Sequence, residues 1–157
     1  MAVASQLPHG RALRVGRSSE PNRIYLVTAV TRDRARIFEL FAAGRILVSA
    51  FRFEERQKRA KTLAYVVMPD HFHWLVQLGQ KEPLPRVVQF VKNISARNVN
   101  RISNRTGQRV WQPGFHDHAV RREEDLAAIA RYIVANPLRS GLVQRIGDYP
   151  LWDAIWV

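Results

Sequence analysis

Two apolar runs, Leu63 to Met68 and His71 to Leu78, are separated only by Pro69-Asp70. Runs rich in β-branched and aromatic residues read as strands, and Pro-Asp reads as a tight turn. Parallel strands need a crossover of about a dozen residues or more, so these two runs can pair only as an antiparallel hairpin. A strand's period of two then sorts the side chains. Phe72, Trp74, Val76 and Leu78 point one way into a core, while His71, His73 and Leu75 share the opposite face. Two imidazoles placed in this way make a clamp for a divalent metal, and a pair of satisfied structural histidines is the ordinary alternative.

The flanking segments build the rest of the fold. Ile24 to Thr31 predicts a central strand buried on both faces. Leu40, Ala43, Leu47, Ala50 and Phe51 recur at helical spacing, predicting a helix from about Phe38 to Arg56 in which Gly44 is the weak point. After Pro83 and Pro85, residues 86–103 predict a second helix with Val87, Val88, Val91, Ile94 and Ile102 as its apolar stripe. A fourth strand is expected within residues 110–120, after Pro113-Gly114. It carries a second pair, His116 and His118, which spacing alone does not rank against the first. Glu123, Glu124 and Asp125 supply acidic first-turn residues for a helix reaching Asn136, where Pro137 disfavours continuation. The order β, α, β, β, α, β and a further helix is the ferredoxin-like split βαβ plan. It is an α+β sandwich with a central antiparallel sheet and an added C-terminal helix. Residues 1–22 read as a basic arm and 23–157 as one domain, with the aromatic extension 141–157 packed on it as a lid.

Charge narrows the partners. The 157 residues carry 25 Lys and Arg against 13 Asp and Glu, a net charge of +12. That excess favours a polyanion, and arginine, the prevailing cation, suits phosphates and base edges. Arg11, Arg14 and Arg17 in the arm read as a nucleic-acid grip or a solvated tail. Arg97, Arg101 and Arg105, at i, i+4 and i+8, read as a phosphate ridge or a solvated face. The absence of cysteine excludes disulfides and thiolate zinc sites. No apolar run approaches the roughly 20 residues of a membrane span, so no membrane role and a cytoplasmic, nucleoid-associated location are expected.

On the last predicted helix, Leu126, Ile129, Ala130 and Ile133 define the core side. At about 100° per residue, Tyr132 lies at its border and Asn136 lies nearly over it. A phenol and a carboxamide are thus aligned at one edge.

Three stretches then occur in order: Met68-Pro69-Asp70-His71-Phe72-His73, Trp111-Gln112-Pro113-Gly114-Phe115-His116-Asp117-His118, and Arg131-Tyr132-Ile133-Val134-Ala135-Asn136-Pro137-Leu138-Arg139-Ser140-Gly141-Leu142-Val143. Together they resemble the REP-associated tyrosine transposases, relatives of the single-tyrosine HUH transposases of small insertion sequences. The likeness covers nearly the whole chain, including Leu13 to Arg17 of the arm and Asp148 to Asp153. It implies that His71 and His73 are metal ligands, Asn136 the third protein ligand, and Tyr132 the nucleophile. Asp70, where many relatives carry Asn, receives no ligand role. His116 and His118 become DNA contacts or groups behind the ligands. The implied activity is cleavage and rejoining of single-stranded or hairpin (REP-type) DNA through a 5′-phosphotyrosine, with Mg²⁺ or Mn²⁺, by a monomer or homodimer.

Other classes remain open to the residues alone. One is a catalytically silent nucleic-acid-binding module, and another is a metal-dependent hydrolytic nuclease that releases its product. A relaxase-like order would require Tyr25, which the strand pattern places in the core.

Overall fold

The computed structural model describes residues 19–122 and 124–156. A five-stranded antiparallel sheet is built from β1 (Ile24–Val30), β2 (Ala60–Met68), β3 (His71–Leu78), β4 (His116–Ala119) and β5 (Trp152–Ala154), in the order β4-β1-β3-β2-β5. The hairpin is as the two-residue turn requires, with Met68 opposite His71.

Each sheet face carries its own apolar cluster. On one, Tyr25, Val27 and Ala29 of β1 join Phe72, Trp74 and Val76 of β3 beneath α1 (Phe41–Arg56) and α2 (Leu84–Ile102). Phe51 of α1 is fully buried there, stacked 4.7 Å from Trp74 and edge-on to Phe72 at 5.2 Å. Truncating a ring in such a place costs about 3–5 kcal/mol. On the other face, Ala64, Val66, Met68 and Leu75 pack against Ala130, Ile133 and Val134 of α3 (Leu126–Val134). Histidines 71 and 73 lie on this second face.

Several expectations change. Strand β1 alternates between buried and half-buried residues instead of being buried on both faces, because α3 sits chiefly over β2. Helix α1 begins at Phe41, with Phe38 in a preceding 3-10 turn. Gly44 belongs inside it because a Cβ there would overlap Leu151 of the C-terminal segment. In α2, Leu84, Ser95 and Val99 complete the buried stripe, whereas Ile102 is 51% exposed and lines an open cleft between α1 and α2. The helix ends before Asn104, which takes φ +55°, so Arg105 lies beyond the predicted arginine ridge.

The C-terminal segment also departs from the lid that its aromatic residues suggest. Trp152–Ala154 pairs with β2 as an added edge strand, satisfying ladder groups that a bare β2 edge would leave unpaired. Tyr149 donates to the Val67 carbonyl at 2.5 Å, and Leu151 enters the α1 cluster. Of the acids expected in the first turn of α3, Asp125 is instead its N-cap, accepting from the Ala128 amide at 3.2 Å, while Glu124 pairs with His118 ahead of the helix. No helix among the described residues is long and apolar enough to cross a membrane.

Candidate functional site

Histidines 71 and 73 are adjacent on the open part of the second face, with ring centroids 5.0 Å apart and planes at 80°. Each has its Nδ1 engaged by an oxygen. His71 Nδ1 donates to Asp70 Oδ1 at 2.7 Å, and His73 Nδ1 lies 2.8 Å from Thr28 Oγ1 on β1. Partners of this kind fix ring orientation and leave Nε2 of each ring for a metal. Asp70, to which the motif resemblance gives no ligand role, therefore orients the His71 ring.

The segment after β1 holds Asp70 in place. The Thr31 amide and hydroxyl both donate to the Asp70 carbonyl, at 2.9 and 3.1 Å, and the Phe38 amide donates to Pro69. Arg34 Nε lies 3.0 Å from Asp70 Oδ2. Asp33 and Arg34 both take left-handed backbone angles, φ +57° and +54°, a conformation costing non-glycine residues about 1–2 kcal/mol each. Partial burial opposes the Asp70 carboxylate. The hydrogen bond from His71, the His71 charge and Arg34 outweigh it, so its pKa lies below the ordinary value. Burial, followed by the charges of His71 and Arg139, pushes His73 down to about 3. A neutral imidazole is the form that binds metal.

Tyr132 is 66% exposed on α3, the helix packed on the histidine-bearing face. The helix stops at Val134, before the predicted end, and a short α4 (Asn136–Arg139) follows. Pro137 has no N–H to continue the ladder to Ile133, and Asn136 Nδ2 donates to that carbonyl instead, at 2.9 Å. Asn136 Oδ1 accepts from Arg139 Nη2 at 3.0 Å, while the Arg139 guanidinium lies 3.9 Å from the Tyr132 ring centroid. Tyr132, Asn136 and Arg139 thus form one group whose charge is felt at His73. Arg139 lies within the third motif, three residues after Asn136.

The second histidine pair shares the sheet face without joining the clamp. Cross-strand pairing sets His116, Thr28, His73, Val66 and Trp152 in one row. Two strand spacings, roughly 9–10 Å, separate the backbones of His116 and His73. His118 Nε2 lies 3.0 Å from both Glu124 oxygens, and the buried His116 Nδ1 has no hydrogen-bond partner among the described residues. Tyr25 belongs to the opposite face, 3% exposed, its hydroxyl accepting from the Glu20 amide. Arg97, Arg101 and Arg105 are exposed, the first two on α2 across the sheet from the histidines. Arg11, Arg14 and Arg17 lie outside the described residues.

Among the described residues, no three His, Asp or Glu side chains converge as a metal cage. Asn136, the third ligand that the resemblance implies, has its amide oxygen bonded to Arg139.

A family model described as Transposase IS200 like matches residues 21–136. A protein of Haemophilus influenzae assigned as a REP-associated tyrosine transposase is 28% identical over 143 residues, covering 81% of this chain and 77% of that protein. The REP-associated tyrosine transposase of Escherichia coli is 29% identical over 98 residues, 61% of this chain and 55% of its own length. Among solved structures, a REP-associated tyrosine transposase bound to a REP hairpin superposes with a TM-score of 0.69 at 23% identity, covering 87% of this chain and 79% of that one. A Deinococcus radiodurans protein described as a transposase gives 0.53 at 25% identity, covering 70% and 87%. With its histidine hairpin, tyrosine helix and asparagine-proline break inside or beside the matched span, the chain belongs to the IS200-like transposase family.

Proposed function

We propose that the protein is a metal-dependent single-tyrosine strand transferase that cleaves and rejoins single-stranded or hairpin DNA of the REP type. One observation carries the reading: His71 and His73 lie on the sheet face against which the Tyr132 helix packs, with both Nδ1 atoms engaged and both Nε2 atoms left for a metal. The strand order β4-β1-β3-β2, with α1 and α2 on one face, supports the ferredoxin-like plan, to which α3 and β5 are additions.

His71, His73 and Asn136 would hold Mg²⁺ or Mn²⁺, a mixed nitrogen and oxygen set that suits Mn²⁺ better. Such a cation polarises a phosphodiester and offsets charge developing on its oxygens. Tyr132 Oη attacks phosphorus, and the bond to the 3′ oxygen breaks. The products are a 5′-phosphotyrosine and a free 3′-hydroxyl, with the phenol proton passing through solvent to the departing oxygen. The exposed position of Tyr132 suits attack on a polymer lying across the surface.

Residues 1–22 would act as an arm reading bases through Arg11, Arg14 and Arg17, and 23–157 as the catalytic domain. Arg97, Arg101 and Arg105, remote from the histidines, would hold hairpin phosphates with little sequence preference, and His116 and His118 would border the DNA path. The enzyme would act in the cytoplasm at the nucleoid, as a monomer or homodimer.

The test is incubation with labelled single-stranded DNA from the flanks of its own coding region and Mn²⁺, followed by denaturing electrophoresis. The expected result is a protein-linked strand that Tyr132→Phe abolishes while DNA affinity stays within about threefold. Cleavage without a linked strand would identify a hydrolytic nuclease, and binding without cleavage would identify a silent module. Either result would overturn the proposal.

A further inference from the structure

The Asn136-to-Leu142 segment is built to hold one side chain still. After the break at Pro137, the Arg139 amide bonds to Ala135 at 3.0 Å. Gly141, at φ +78°, lets its own amide reach Leu138 at 3.1 Å and that of Leu142 reach Pro137 at 2.9 Å. These are the paired bonds of a Schellman close. So firm a mount on an exposed turn adds little to the core. It does fix the origin of the Arg139 side chain, which lies across the Tyr132 ring and donates to Asn136 Oδ1.

Among the described residues, no carboxylate pairs with Arg139, whereas Arg23, Arg34, Arg36, Arg59 and Arg86 each meet one. Its charge is therefore available to an anion beside the tyrosine. A solvated arginine that merely covers an exposed ring is the simpler account, but it does not explain the hydrogen bond to Asn136. We propose that Arg139 is a catalytic residue that grips a non-bridging oxygen of the phosphodiester attacked by Tyr132, using its stacking on that ring to set the line of attack.

The inference rests on Tyr132 as nucleophile and goes beyond it. As Oη bonds to phosphorus and the 3′ oxygen leaves, negative charge grows on the non-bridging oxygens. A guanidinium already fixed in place meets it without reorganising. Its planar fork can keep one N–H on Asn136 and offer another to phosphate, which a lysine ammonium cannot reproduce in the same geometry.

The experiment compares Arg139→Gln and Arg139→Lys with the parent, using the same flanking single strands and Mn²⁺. Gln retains a donor for Asn136, so a purely structural part would survive that change. Rates of adduct formation are measured, and DNA affinity is titrated against salt in a Tyr132→Phe background, where no cleavage intervenes. Arg139→Gln is expected to slow adduct formation by about 100-fold or more, the scale of losing one fixed donor to a developing oxyanion. It should also make the log–log salt slope shallower by about 0.7, one phosphate contact on a single strand. Arg139→Lys should recover the slope but only part of the rate. An Arg139→Gln rate within about threefold of the parent would overturn the proposal. If the parent forms no Tyr132-dependent adduct, the strand-transferase reading fails and the salt slope alone decides. An unchanged slope then refutes the phosphate contact at Arg139, and a shallower one retains it.

Discussion

Thr28 Oγ1 on β1 lies 2.8 Å from Nδ1 of His73 on the adjacent strand β3, and the two residues are direct cross-strand partners. The hydroxyl can accept the Nδ1 proton, the tautomer that leaves the Nε2 lone pair for a metal. Thr28→Val keeps the shape and removes the acceptor. Mn²⁺ affinity, measured by titration calorimetry on the protein without DNA, should fall about tenfold, the lower end for losing a partner behind a metal ligand. Thr28→Ser should behave as the parent. Parental affinity in Thr28→Val would show that the contact does not orient the ring.

The row His116–Thr28–His73 separates the two histidine pairs by a strand. Replacing His73 with Ala should remove measurable Mn²⁺ binding. His116→Ala should leave it within about twofold, since among the described residues His116 does not converge with His71 and His73 into one three-ligand group. The reverse pattern would move the metal to the second pair.

Glu54 is wholly buried at the end of α1, bonded fork to fork by Arg59 at 2.9 and 2.7 Å, and Arg59 also covers the Phe90 ring at 4.4 Å. The hydrogen bond to Glu54 outweighs desolvation and raises the Arg59 pKa. Removing one partner strands the other charge. Glu54→Ala should therefore lower unfolding stability in urea by roughly 3 kcal/mol, the low end for a broken buried pair because Arg59 is partly solvated. Glu54→Met with Arg59→Met should recover much of the loss. A double variant as unstable as the single one would assign the effect to packing.

Lys92 of α2 is buried and donates to the carbonyls of Gln112 and Gly114 at 2.8 and 2.7 Å. Burial pushes its pKa from 10.5 down to about 8. Between those values the unfolded chain binds more protons than the folded one at this position, so the contribution of Lys92 to stability rises with pH and is lost as pH falls through 8. The neutral amine still has a proton for each carbonyl. From pH 8 to 10 the parent should gain about 2 kcal/mol relative to Lys92→Met, at roughly 1.4 kcal/mol per unit of pKa difference. Parallel urea midpoints across that range would refute the assignment.

The hairpin was legible in the sequence because a two-residue link excludes every other pairing of two adjacent strands, and the period of two then places His71 and His73 on one face whatever else the chain does. Most of the α1 and α2 stripes, apart from the exposed Leu40 and Ile102, the Asn136-Pro137 break and the succession of the first four strands along the chain were legible for the same kind of reason: local geometry and short links leave few alternatives. The family resemblance also came from motif order, and the match over residues 21–136 bears it out. Other features depended on residues distant in the chain. Gly44 reads as a weak point until Leu151, far along the chain, is seen to need its missing side chain. The C-terminal aromatics suggest a lid, but an open β2 edge recruits Trp152–Ala154 as a strand. Thr28 looks like one more β-branched residue until register brings it opposite His73, and nothing in its own neighbourhood marks it. Arg139 acquires meaning only when the break after Val134 turns the chain and its guanidinium lands on Tyr132. Periodicity is a property of adjacent residues and survives without a fold, whereas register, edge pairing and side-chain convergence exist only after distant segments have packed.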